Sequence, residues 1–278
     1  MISLCFKSQF KETIDELDLF MDTISFPNII YCKRRFSKFY NLIIHYTGKQ
    51  KQDFCSAISM LFSQYIISKH EEKIISKQLK LDFFYFSNYE QTEILSQIKQ
   101  YLASSSIVEQ KTKILQNSLN SYLEKHNRIN VEGIINFRIK DYLFFINNIV
   151  GDQINSYVIN KEYNEYVSLL SDYISSKPSQ TSKIHLVYTE KEKSLFDCNG
   201  NIITTTYDKK YLSDISFSDN DFILNSILSL MPQEIVIHPQ DINDKFVSFI
   251  HSIFKNRCNI CTECKFCSKY KYKKSALE

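Results

Sequence analysis

Four cysteines toward the carboxyl end have a spacing that could gather a metal. They are Cys258, Cys261, Cys264 and Cys267, each three residues from the next. Half of the chain's eight Cys fall in this one short stretch. Thiolates are soft ligands that suit zinc or an iron–sulfur cluster. The first three match the opening of a C-x2-C-x2-C iron–sulfur run, but the fourth spacing is one residue short and no Pro follows. A continuous helix would not bring them together. Each three-residue step falls about 60° short of a full turn, so four Cys would fan across about 180°. A metal site here therefore demands an irregular segment. Spacings this short also strain a four-ligand wrap around one ion, which makes His238 and Cys198 candidates for a further ligand. Zinc and an iron–sulfur cluster both remain open as the cofactor. The competing reading is a chain terminus whose thiols do no chemistry.

Other polar groups invite simpler readings. Glu132, Arg138 and Asp141 stand at the start of a strongly apolar helix. They could form a small charged pocket. The structural reading is stronger: an acidic helix start that complements the dipole, and an Arg138–Asp141 pair at i,i+3. His238-Pro239 follows a predicted parallel strand, and ligand sites in open α/β sheets cluster at strand carboxyl ends. A lone His is nevertheless more often structural. His185 and His251 have no evident partner and receive no role. Asp214, Asp219 and Asp221 precede a helix and read as caps, because the spacing and Gly of an EF-hand are missing. The run 269–274 (KYKYKK) alternates Lys with Tyr. It could contact phosphates and stack on bases, although a solvated terminus is the simpler reading.

Bulk properties narrow the function classes. The chain has 278 residues and 44% hydrophobic residues, enough for a sizeable core in one large or two to three small domains. Residues 1–7 lack a basic stretch followed by a long apolar run, so a secretory signal is not expected. No stretch approaches the ~18 uncharged apolar residues of a membrane span. The expectation is a cytoplasmic protein whose thiols are reduced or metal-bound. Net charge is +3. Residues 255–278 hold seven Lys/Arg against two Glu, or +5, so the remainder sums to −2. There is no G-x-x-x-x-G-K, G-x-G-x-x-G, G-x-S-x-G or H-E-x-x-H, and the chain has only four Gly. A P-loop ATPase, a Rossmann oxidoreductase and an α/β-hydrolase are thereby disfavoured.

The elements that must position these residues follow from periodicity. Residues 2–6 alternate as a strand; Phe10, Ile14, Leu17 and Met21 then recur at helical spacing. The apolar runs 29–32 and 39–46 read as a hairpin, and Phe54, Ile58, Leu61, Phe62 and Tyr65 restore the helical period. Residues 79–174 are almost wholly helical in pattern. Ser87 with Glu90 forms a capping-box signature, 104–106 is a break, and helices are expected over 107–125, 131–158 and 161–174. Residues 127–130 separate two of them, and Gly151 could kink or divide the long one. Residues 175–183 form a polar linker with Pro178. Beyond it come a strand at 184–188, a hairpin of 194–198 and 201–205 around Asn199-Gly200, and a helix capped by Ser218. A strand at 234–238, a helix at 244–254 and a last strand at 257–260 complete the set. The fold class is α+β: an N-terminal α+β unit (1–80), a helical region (81–176), and a small C-terminal α/β unit (177–278) with a Cys cluster and basic tail. Two strand–helix–strand steps in the last unit suggest parallel pairing.

The segment 131–142 (VEGIINFRIKDY) resembles the hallmark of the YtxC-like sporulation protein family, an acidic-Gly-aromatic-x-x-Phe-Arg-x-x-x-Tyr pattern. Glu132, Gly133, Phe137, Arg138 and Tyr142 fall on its defining positions, while Ile134 stands where an aromatic residue belongs. Similarity extends to 160–174, 184–188 and 232–238, and covers roughly residues 120 to 267. The resemblance implies a cytoplasmic protein of an endospore-forming bacterium, linked to sporulation, with no assigned catalytic activity. Together with the missing catalytic motifs, it favours a non-catalytic protein acting through protein partners. The alternatives are a metal- or iron–sulfur-dependent redox enzyme and a nucleic-acid-binding regulator using the basic tail. Oligomeric state is left open.

Overall fold

The computed structural model describes residues 2–23, 26–190, 192–203, 218–265 and 267–268. Contacts divide the chain into two compact units, Met1–Val158 and Ile159–Glu278. The α+β class holds: a mixed sheet, a run of helices, then a second sheet followed by the cysteines.

In the first unit, β1 (Ile2–Ser8), β2 (Ile29–Phe36), β3 (Phe39–Tyr46) and β4 (Arg128–Asn130) form one sheet in the order β2-β3-β1-β4. The β2–β3 and β1–β3 pairs are antiparallel and β1–β4 is parallel. Period-two alternation turns Leu4, Phe6, Leu42, Ile44 and Tyr46 to one face, where α1 (Lys11–Met21) and α2 (Lys51–Lys69) cover them. Phe6 meets Phe62 edge-on at 5.1 Å, and Tyr46 stacks on Phe54 at 4.8 Å.

Then follow α3 (Glu71–Asp82), α4 (Asn88–Leu102) and α5 (Ser105–Leu123). Their apolar stripes are regular: Ile94, Ile98 and Leu102 on one helix, Leu115, Leu119 and Leu123 on the next. These stripes join the same core as the sheet. The segments 1–80 and 81–158 thus share one interior, because amphipathic helices of this length can bury their faces only against a neighbour. Ser87 and Glu90 close the expected capping box.

The helical stretch departs from expectation in three places. Residues 128–130 form β4, a strand too short for periodicity to reveal and defined only by pairing with β1. The helix expected over 131–158 is interrupted at Arg138 and Ile139, giving α6 (Val131–Phe137) and α7 (Lys140–Ser176). The stop expected at 159–160 is absent. No Gly or Pro stands there, so nothing ends the helix before the linker.

In the second unit, β5 (Thr181–Tyr188), β6 (Lys193–Asp197), β7 (Pro232–Pro239) and β8 (Cys258–Ile260) form a sheet in the order β6-β5-β7-β8. The crossovers through α8 (Asp219–Leu230) and α9 (Lys245–Phe254) make β5–β7 and β7–β8 parallel, as the strand–helix–strand steps implied. Ile184, Leu186, Ile235 and Ile237 meet Ile227, Val247 and Ile250 in its core. The Asn199-Gly200 turn is present, with Gly200 at φ 86. The Asp197 carboxylate accepts the backbone N–H groups of Asn199 and Asn201. Of the returning strand expected over 201–205, Ile202 bridges to Phe196 and the Ile203 N–H donates to the Leu195 carbonyl at 2.8 Å; 204 and 205 lie outside the described residues.

Gly151 lies inside α7, and a Cβ there would meet nothing within 4 Å. Gly151→Ala is therefore expected to stabilise the protein by about 0.5–1 kcal/mol, read from the urea midpoint. A lowered midpoint would show that the helix needs glycine at this point.

Candidate metal centre

Strand parity decides which cysteines can meet. β8 pairs in parallel with β7 in the register Cys258↔Ile235, Asn259↔Val236 and Ile260↔Ile237. Cys258 therefore shares the face of Ile235 and Ile237, which is the core face. Its side chain is buried there, and burial pushes its thiol up to about 12. The Cys261 N–H donates to the Ile237 carbonyl at 2.8 Å, which carries the ladder one step further. Cys261 then stands beside His238, on the face opposite Cys258. A spacing of three is odd, and along a strand odd spacings put side chains on opposite faces. The chain next makes a helical turn in which the Ser268 N–H donates to the Cys264 carbonyl at 2.9 Å. In such a turn the i,i+3 pair Cys264 and Cys267 shares one side.

The outcome is a cluster of His238, Cys261, Cys264 and Cys267, whose ligand atoms all lie within 4.8 Å of one another. His238 Nδ1 is 3.3 Å from Cys267 Sγ and 3.5 Å from Cys264 Sγ. Cys267 Sγ lies 3.7 Å from Cys264 Sγ and 3.9 Å from Cys261 Sγ. His238 and Cys267 are buried, and Cys261 and Cys264 are half-buried. Burial, followed by hydrogen bonds with the neighbouring thiols, pushes Cys267 up to about 11. On its own the Cys267 thiol would stay protonated. A divalent cation in the cluster reverses that balance, because its charge favours thiolate and its binding displaces the protons. The donor set fits a metal ion.

A second histidine supports the first. His185 Nδ1 is 2.9 Å from His238 Nε2, and the rings stack with centroids 5.2 Å apart. The contact is satisfied when His238 carries its proton on Nε2 and donates it to His185. That tautomer leaves the lone pair of His238 Nδ1 aimed at the sulfurs. Burial, helped by Lys183, lowers the pKa of His185, which favours the neutral ring that can accept this hydrogen bond. Such outer partners fix the orientation of metal-ligating His rings. His185 had no role on sequence grounds. Its signal was parity: it sits opposite Val236 in the β5–β7 register and so shares the face of His238.

The remaining candidates are dispersed. Cys198 is exposed and outside the cluster. Asp221 closes a capping box with Ser218; Asp214 and the run 269–274 lie outside the described residues. The motif residues near 131–142 hold the first unit together. Glu132 accepts the Ser8 hydroxyl, tying α6 to β1. The Gly133 N–H donates to Asn130 Oδ1 at 2.6 Å, and a Cβ at Gly133 would come within 3.0 Å of that oxygen. Phe137 is exposed. Arg138 lies over the Tyr122 ring, 5.9 Å from its centroid, in place of the expected pair with Asp141. The buried Tyr142 donates to Glu71 Oε2 at 2.6 Å, and Glu71 also holds the buried Lys111 at 2.7 Å. Burial first, then Glu71, holds the Tyr142 hydroxyl far above its ordinary range.

The class is thus an α+β protein with a His–Cys cluster, one that could hold a metal ion, beside its C-terminal sheet. The chain belongs to the YtxC-like family, whose model matches residues 56–259. That span includes His238 and ends before Cys261. Among curated proteins it is similar to the uncharacterized protein YtxC of Bacillus subtilis (strain 168), at 21% identity over 133 residues, 44% of this chain and 44% of that protein. The match thus spans less than half the length of that relative. No solved structure matches.

The group of Glu71 with the buried Lys111 and Tyr142 supplies a stability test. Lys111→Met is expected to cost roughly 3 kcal/mol, the low end for a buried pair, because it leaves the Glu71 carboxylate, 13% exposed, without its counter-charge. Adding Glu71→Gln should restore part of that loss in urea unfolding. Equal instability of the single and double variants would show that the charge is not the cause.

Proposed function

We propose that the cluster is a closed structural zinc site, in a non-catalytic cytoplasmic protein associated with sporulation. Its spacing carries the reading. Zinc with sulfur at about 2.3 Å and nitrogen at about 2.0 Å has tetrahedral edges of about 3.8 Å between sulfurs and about 3.5 Å from nitrogen to sulfur. Of the six edges, the sulfur pairs at 3.7 and 3.9 Å and the nitrogen–sulfur pairs at 3.3 and 3.5 Å match, and the other two lie within 4.8 Å. In a cubane iron–sulfur cluster each thiolate binds a different iron, which holds the sulfurs farther apart. Four protein ligands leave no open position for substrate, which favours structure over catalysis. His238, Cys261, Cys264 and Cys267 would hold the ion, and His185 would orient His238. The zinc would fasten the segment after β8 onto β7. No helix among the described residues is long and apolar enough to cross a membrane, which agrees with the cytoplasmic reading. The sporulation link rests on what the family resemblance implies.

Anaerobic purification and metal analysis test the centre. One zinc per chain is expected, with no visible absorption. His238→Ala and Cys267→Ala should each abolish stoichiometric zinc. Cys258→Ala should retain it while costing about 1–2 kcal/mol of stability through its core position. A brown protein containing iron and sulfide, or equal zinc loss in Cys258→Ala, would overturn the assignment. Disrupting the gene is expected to lower spore yield without slowing vegetative growth, and an unchanged yield would count against the sporulation role.

A further inference from the structure

The sheet of the first unit has one face in the core and one outside it. Lys7, Arg34, Arg128, Ile30, Phe36 and Phe39 point to the outer face by their register, and none of them belongs to the core. Phe36 is 56% exposed and Ile30 66%. All four strands lack Asp and Glu. Lys7, Arg34 and Arg128 have no ion pair among the described residues, whereas Lys33, on the opposite face, is held by Asp15 and Asp18. The Lys7 ammonium lies over the Phe39 ring at 5.2 Å from its centroid. Burial pushes the Cys5 thiol up, and the charges of Arg128 and Lys7 oppose it. Three cations thus lie on this face with an exposed ring, Phe36, and a half-buried one, Phe39.

From this arrangement we infer that the outer face of the first sheet binds single-stranded nucleic acid. Unpaired cations spread over a sheet suit a phosphate backbone, which carries one negative charge per nucleotide. Phe36 and Phe39 pair with each other at the β2–β3 turn. Rings at such an edge can stack on unpaired bases, whereas a duplex keeps its bases stacked inside and offers those rings little. A protein partner fits less well, because the cations break the apolar surface into small pieces. The inference uses no residue of the basic run 269–274 and none of the metal centre.

Fluorescence anisotropy of the full chain with short labelled oligothymidylate, oligouridylate and a duplex tests it. Both single strands are expected to bind at low salt, more tightly than the duplex. Relative strength then separates DNA from RNA as the preferred source. Replacing Lys7, Arg34 and Arg128 together with Gln should reduce the salt slope by about 2, so the affinity gap to wild type shrinks about sixteenfold between 50 and 200 mM salt. Phe36→Ala should weaken binding at least about fivefold. Changing Lys269, Lys271, Lys273 and Lys274 to Gln should leave most of the binding in place. Circular dichroism of each variant checks that the sheet persists. The inference fails if no strand binds at low salt, or if the tail variant alone loses binding. It also fails if the duplex binds equally with Phe36 irrelevant, or if the chain binds anionic lipid vesicles and no oligonucleotide.

Discussion

The hydrogen bond from the Cys261 N–H to the Ile237 carbonyl carries the β7–β8 ladder past the end of β8. It fixes the register in which the cysteine segment leaves the sheet. Because a strand alternates its faces, that register sends Cys258 into the core and sets Cys261 beside His238. A slip of one residue would exchange the two roles. The core would then receive Cys261, and the cluster would lose a ligand. Cluster and core are thus two consequences of one pairing, with the apolar partners of Cys258 helping to enforce it.

The sheet that sets this register is itself held by ordinary packing. β7 lies between two parallel neighbours, and Ile235 and Ile237 are buried against α8 and α9. His238 follows them on the other face, close to the carboxyl end of the strand. There its ring lies between His185 on one side and the sulfurs on the other. A buried polar side chain needs partners for both ring nitrogens, and His238 has them. The first unit solves a different problem. Its sheet has helices on one face, and its motif residues tie α6 and α7 back to β1, α3 and α5 through Glu132, Tyr142 and Arg138.

Much of the fold was legible in the chain because its signals are local. Ser87 with Glu90 and Ser218 with Asp221 cap their helices, and the stripes at 94–102 and 115–123 need only a turn's spacing to be read. The Asn199-Gly200 turn and the strand–helix–strand order of the second unit are equally local. What stayed hidden is relational. β4 exists only through β1, and the helix break at Arg138 and Ile139 left no mark in the residue pattern.

By itself, the sequence showed four closely spaced cysteines of ligand type and a histidine at the end of an expected parallel strand. It also determined that an α+β chain with few glycines carries them. Only the tertiary structure decided that His238 joins three of the four cysteines and that Cys258 does not. The composition of the cluster depends on pairing between residues 235–237 and 258–260, more than twenty positions apart. Spacing along a chain states how far apart side chains are. Which face each one takes is set by hydrogen bonds to another strand, and that information is not local.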